Sequence, residues 1–230
     1  RITVDYQCSG NRYRRNLAAG GGSWERGRLR AFTTFVTEGD DRGRPLGATL
    51  DATDRFVLAA AGDSLARAIG EGVSAGVGDY DFIPAGVGTA HYQFAGVDSG
   101  DFSVRFARVG PGLGAYLDST VVAGRTIYAF VGQGNGSFRV GRPLPLADSH
   151  QLWALAGGAG GGPFTLDVEG AVSRHDLNTF STLDDADNVG GAGRARLALA
   201  GRVPGRLGGT GGLELLARSV GRRFDPFSRL

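Results

Sequence analysis

Asp184, Asp185, Asp187 and the adjacent Asn188 form an acidic run. Clustered carboxylate oxygens are the ligands a hard cation takes, so Asp184, Asp185 and Asp187 are candidate Ca2+ ligands. The run lacks the glycine and the distal glutamate of an EF-hand loop, and a solvated loop is the plainer reading. Asp167 and Glu169 stand two residues apart, which places both on one face of a strand. Paired carboxylates facing a cleft are the machinery of glycoside hydrolysis, yet such pairs are routine on a hydrophilic strand face. The histidines are His91, His150 and His175, none in an HExxH spacing. Asp176 beside His175 invites a catalytic pairing, but no Gly-x-Ser-x-Gly elbow accompanies it. Surface or turn histidines are expected.

Two glycine clusters, Gly110-Pro111-Gly112-Leu113-Gly114 and Gly132-Gln133-Gly134-Asn135-Gly136, are superficially similar to phosphate loops. A nucleotide site needs a helix directly after them, whose N-terminus holds the anion. Strand-forming residues come next instead, so both clusters read as tight turns. Cys8 is the only cysteine, which removes internal disulfides and cysteine-based metal sites. No catalytic residue and no cofactor is expected.

The clusters belong to a repeat. Ala95-Gly96 to Gly100-Asp101-Phe102, Val109-Gly110 to Gly114-Ala115-Tyr116, and Val131-Gly132 to Gly136-Ser137-Phe138 share the frame Val/Ala-Gly-x-x-x-Gly-x-aromatic. Val73 to Gly78-Asp79-Tyr80 is a fourth copy, with Ser74 in place of the first glycine. A turn followed by an aromatic at such intervals lays down a β-meander. The longer intervals each hold an extra short strand, His91–Phe94 and Thr126–Phe130.

Composition agrees. Glycine reaches 41 of 230 residues without the strict period of collagen, and 41% of residues are hydrophobic, which argues against general disorder. The 25 basic residues are all arginine and face 23 acidic ones, so no nucleic-acid footprint is expected. No apolar run approaches the ~20 residues of a spanning helix, which leaves membrane β-strands of ~9–11 alternating residues open. With no methionine, Arg1 is not a translation start, and a processed product or, in preference, a segment of a longer polypeptide is expected.

Along the chain, residues 1–50 read as strands and hairpin, with Ile2, Val4 and Tyr6 alternating against polar neighbours. Residues 51–71 form a short helical insertion, with Asp51 or Thr53 as cap and Gly62 dividing it into two helices at about 53–69. Residues 72–145 are the Gly-aromatic meander. Residues 146–230 read as long amphipathic hairpins joined by glycine-rich turns at 157–162 and 208–212. There Phe164, Leu166, Val168 and Val172 oppose Thr165, Asp167, Glu169 and Ser173, and Ala195, Leu197 and Leu199 oppose Arg194, Arg196 and Arg202. One apolar face and one charged face fit a transmembrane barrel wall and also a soluble sandwich. Trp24 and Trp153 fit an interfacial aromatic girdle or a core.

From about Ala52 to Leu230 the chain resembles a group of very large, uncharacterised envelope proteins of Gram-negative bacteria with Gly-Asp-Tyr-like repeats and terminal outer-membrane β-barrels. The matching segments are Asp51–Asp63, the repeats, Leu144–Leu152 and Val172–Asn188. Ala115 and Ser137 depart from the Gly-Asp-aromatic pattern. The resemblance implies an outer-membrane or cell-surface location, with membrane lipid and the rest of a longer chain as partners, and it carries no catalytic residues.

The expected fold class is therefore all-β: an antiparallel meander with two short helices, part of a large outer-membrane β-barrel. The expected function is non-catalytic, as a scaffold, in transport or export, or in surface interaction. The alternatives are a soluble sandwich or solenoid module binding a glycan or protein, and a glycoside-active β enzyme.

Overall fold

The computed structural model describes residues 14–45, 49–202 and 208–227. The strand expected at Ile2–Tyr6, and Cys8, lie outside them. The fold is all-β, and every strand pairing among the described residues is antiparallel. The chain divides into two compact units, one of Arg1–Leu46, Ala147–Thr179 and Asp184–Leu230, the other of Gly47–Leu146 and Phe180–Leu183.

In chain order, the first unit begins with β1 (Arg15–Arg26) and β2 (Leu29–Asp40). The second unit comes next with α1 (Ala52–Ala61), β3 (Ile69–Gly70), β4 (Val73–Gly78), β5 (Tyr80–Ile83), β6 (His91–Phe94) and β7 (Gly100–Val104). It continues with β8 (Phe106–Arg108), β9 (Tyr116–Val122), β10 (Arg125–Phe130), β11 (Phe138–Val140) and β12 (Arg142–Pro143). The first unit then resumes with β13 (Ser149–Gly161), β14 (Phe164–Asp176), β15 (Val189–Arg202) and β16 (Thr210–Val220).

Helix α1 forms because Asp51 caps it and Asp54 reciprocates. Asp51 Oδ1 accepts from the Asp54 amide at 2.8 Å, and Asp54 Oδ2 accepts from the Asp51 amide at 3.1 Å. Its apolar side, Leu58 and Ala61, packs with Leu50, Ala68 and Leu144, while Asp54, also buried, pairs with Arg142. One α-helix forms among the described residues, not the two expected at 53–69. Gly62 leaves the helix at φ 59° and ψ −149°, and the Ser64–Ala68 segment closes a single turn on the Ser64 carbonyl. Five residues after a break cannot repay the cost of a new helical nucleus. Ala68 drops into the core, and β3 pairs with β12 instead.

The rest of this unit is two sheets of one topology, β4-β7-β5-β6 and β8-β11-β9-β10. The correspondence is an internal duplication: residue 80 maps to 116, 92 to 128 and 102 to 138, a constant offset of 36. Repeat glycines pair reciprocally within each sheet. Gly78 lies on the Phe102 backbone and Gly100 on Tyr80, as Gly114 lies on Phe138 and Gly136 on Tyr116. The aromatics next to them in the repeat interlock the two sheets. The Tyr80 hydroxyl accepts from the Tyr128 amide at 2.9 Å, and the Tyr116 hydroxyl accepts from the Tyr92 amide at 2.8 Å. Equivalent edge-on ring pairs recur as well, Tyr80–Phe94 at 5.8 Å and Tyr116–Phe130 at 5.4 Å between centroids.

Burial raises the Tyr80 and Tyr116 hydroxyls above their ordinary value of 10.0, although each accepts a backbone hydrogen bond that works the other way. A raised acid favours the protonated form in the folded state. Its contribution to stability is complete below the unfolded value and is lost as pH rises through the folded one. With no lysine in the chain, tyrosine dominates titration in this range. Stability is therefore expected to fall from about pH 10 upward. The double variant Tyr80→Phe/Tyr116→Phe should flatten that limb, at about 1–2 kcal/mol per site at neutral pH for the orphaned amides. Tyrosinate absorbance and thermal melts across the alkaline range check both statements.

In the first unit, β1-β2-β13-β14-β15-β16 form one sheet of long strands. The glycine-rich segment 157–161, expected in a turn, lies inside β13, and the turn is confined to Gly162-Pro163. The reason lies in the side chains that cross the strand.

Candidate functional site

Pairing register divides the long sheet into two unlike faces. One carries Trp24, Leu29, Phe35, Trp153, Leu155, Phe164, Leu166, Val168, Val172, Leu197, Leu199, Leu213 and Leu215. This face is open: Trp153 is 58% and Leu155 64% exposed, and Trp24, Val168, Val172, Leu213 and Leu215 are about half exposed. The unit contains no second sheet among the described residues.

The other face carries charge arranged as a ladder. Arg30 pairs with Asp167, Arg194 with Glu169 at 2.6 Å, and Arg196 grips both Glu214 oxygens at 2.9 and 3.0 Å. Arg30 and Asp167 belong to β2 and β14, with β13 between them. They meet because Gly158, in register with both, has no side chain there. A Cβ at Gly158 would fall 2.6 Å from Arg30 Nε and 2.8 Å from Asp167 Oδ1. Gly→Ala inside a strand ordinarily gains about 0.5–1 kcal/mol. Gly158→Ala is expected to lose about 1 kcal/mol instead, the worth of an exposed pair. The loss should vanish in an Arg30→Gln background, which a double-mutant cycle by denaturant titration measures.

At one end of this face the ladder becomes a polar cluster. Arg15 reaches Glu38 at 2.7 Å, Asp40 at 3.3 Å and Asp148 at 3.2 Å, so three carboxylates share one guanidinium. Burial pushes the Asp148 carboxyl above the usual carboxylate range, opposed by Arg15 and reinforced by Asp40. In register with Glu38, His150 stands opposite His175, with ring centroids 4.5 Å apart.

The segment after β16 folds back across this end. Gly190 leaves room for it, since a Cβ there would lie 2.1 Å from the Arg223 carbonyl. The Asp225 amide donates to Ser173 Oγ at 2.9 Å, and the Asp225 carbonyl meets His150 Nε2 at 2.9 Å. Asp225 Oδ2 lies 2.6 Å from His175 Nδ1, and the Phe227 ring stacks on His150 at 4.0 Å. This strap borders a cleft of about 570 Å3 on the charged face, lined by Phe32, Ala154, Glu169, Arg194, Arg218 and Phe224 among others.

The residues singled out from the sequence are widely distributed. Asp184, Asp185 and Asp187 lie on a loop around a 3-10 turn, with Asp184 at φ 74°. Asp185 Oδ1 accepts from Asn188 Nδ2 at 3.2 Å. The ligating side chains that converge among the described residues are His150, His175 and Asp225, and the acidic run is not part of that group. Asp167 and Glu169 share the charged face as expected, each engaged by its own arginine. Asp176 turns from His175 and accepts from the Asn178 amide at 3.0 Å, so the partner of His175 is Asp225. His91 stacks on Phe130 at 4.2 Å in the other unit. Strands β9 and β11 come directly after the glycine clusters at 110–114 and 132–136.

Sequence reasoning missed the histidine pair and its aspartate. A signal for the pair existed, because His150 and His175 are equidistant from the Gly162-Pro163 turn. None existed for Asp225, which reaches them through the fold alone.

No family model, curated protein or solved structure matches the chain.

Proposed function

We propose that the long sheet is part of the wall of an outer-membrane β-barrel, and that the chain is a non-catalytic structural segment of a larger envelope or surface protein of a Gram-negative bacterium. One observation carries this reading: a continuous apolar face that lies open, backed by a face of paired charges. A soluble sandwich packs its apolar face on a second sheet. A barrel wall turns that face to lipid and keeps its polar face to the lumen.

The dimensions agree. The apolar band on β14 runs from Phe164 to Val172, roughly 27 Å of strand at about 3.4 Å per residue. A tilt of about 40° shortens this to roughly 20 Å, near the about 25 Å of outer-membrane barrels. The six strands of this sheet among the described residues are fewer than the eight or so of the smallest such barrels, so in this reading they are part of a larger wall. The duplicated unit serves as a scaffold or surface module in this reading.

Fractionation of the full-length protein tests it. Retention in the outer membrane, with release only by detergent, is expected. Recovery as a soluble monomer overturns the proposal in favour of the glycan- or protein-binding alternative.

A further inference from the structure

We propose that His150, His175 and Asp225, with Asp148 beside them, form a binding site for one divalent transition-metal ion of the zinc type. One ligand atom from each of His150, His175 and Asp225 lies within 4.8 Å of the other two. Zinc holds imidazole nitrogen and carboxylate oxygen at about 2.0–2.2 Å, so tetrahedral donors stand roughly 3.3–3.5 Å apart. The His175 Nδ1–Asp225 Oδ2 pair, at 2.6 Å, opens and the wider separations close when an ion enters.

Two further observations point to a cation. His175 Nε2 is buried and has no hydrogen-bond partner among the described residues, and Asp148 Oδ2 lies 3.8 Å from it. A buried polar nitrogen without a partner costs free energy, and a cation on Nδ1 would fix a proton on Nε2, facing the Asp148 carboxylate. The same ring presents Nδ1 to the Asp225 carboxylate at 2.6 Å, so the ion would sit between those two atoms, with Asp148 orienting the ring from its far side. Charge favours the same occupant. Glu38, Asp40 and Asp148 gather around Arg15, and Asp225 adds a fourth carboxylate at the same end of the sheet.

Two histidines and a carboxylate, with Asp148 behind His175, make an imidazole-rich N/O set, suited to zinc, cobalt or nickel rather than to calcium. Coordination exchanges the hydrogen bond between His150 Nε2 and the Asp225 carbonyl for a metal bond. It also joins β13, β14 and the strap through one ion. The inference is independent of the membrane reading, since the site lies within one sheet and its strap.

The test titrates the chelator-stripped full chain, extracted in detergent where needed, with Zn2+ by calorimetry and with Co2+ by visible absorption. Uptake of one ion per chain is expected, with the Co2+ bands of a four-coordinate site. His150→Gln, His175→Gln and Asp225→Asn should each weaken Zn2+ binding by roughly tenfold or more. A variant with asparagine at Asp184, Asp185 and Asp187 should bind as the parent does. No uptake at micromolar Zn2+, or uptake undiminished when both histidines are glutamine, overturns the proposal. Histidine carbethoxylation of the unsubstituted chain reads the same site without relying on a variant's folding. Zn2+ should protect His150 and His175 while leaving His91 reactive, and equal reactivity of all three with and without Zn2+ overturns the assignment.

Discussion

Gly136→Ala is expected to destabilise the duplicated unit by about 3 kcal/mol or more, the upper end of overpacking costs. A Cβ on Gly136 would sit 2.3 Å from the Tyr116 nitrogen and oxygen, and one on Gly114 would sit 2.3 Å from the Phe138 oxygen. In the other sheet the corresponding distances are 2.0 Å at Gly78 and 2.5 Å at Gly100. The obstacle is backbone, which cannot rotate away as a side chain does, so relief requires separating the two strands. Separation also pulls Tyr116 from the Tyr92 amide and disturbs its packing on Phe106 and Phe130. Alanine at any of the four positions should therefore lower the midpoint of denaturant unfolding followed by near-ultraviolet dichroism of the tyrosines. Gly86→Ala is the control, because nothing lies within 4 Å of its Cβ position. Equal stability of Gly136→Ala and Gly86→Ala would refute the close-approach role.

These glycines also mark the limit of what the sequence reveals. Their spacing is legible, because a turn residue followed by an aromatic is a local signal. Which copy faces which is not, because pairing Gly78 with Phe102 and Gly114 with Phe138 depends on register between strands. The alternation of Phe164, Leu166 and Val168 with Thr165, Asp167 and Glu169 is likewise local, and the observed faces obey it. Gly157, Gly158, Gly160 and Gly161 mislead, since a glycine that admits a neighbour's side chains looks the same as one that turns the chain. Gly62 is legible as an interruption but not as the end of the helix. The path of the chain beyond it is decided by Ala68 and Leu144 meeting in the core. In the candidate site, the acidic run is conspicuous because its members adjoin in sequence. The His150–His175–Asp225 group is quiet because a long hairpin and a returning strap assemble it.

Val168→Arg is the second large expected effect, and it separates a lipid-facing wall from a solvated one. Val168 sits midway along the apolar band, 48% exposed, in register with Ala195 and Gly157. If that face meets hydrocarbon, a guanidinium near the bilayer midplane costs about 2–4 kcal/mol. The variant should then fold poorly into vesicles and lose resistance to denaturant there. If the face meets water, the same change is a surface substitution worth within about 0.5 kcal/mol. Ala198→Arg supplies the complement, since Ala198 lies on the charged face, opposite Glu214 and Thr165. There the new cation has carboxylate and hydroxyl neighbours and a polar lumen, so refolding should be little affected. The decisive quantity is the difference between the two variants in vesicles, because any general effect of adding an arginine cancels. A large cost at Val168 with a small one at Ala198 assigns the faces as proposed, and equal costs at the two positions would remove the lipid from this account.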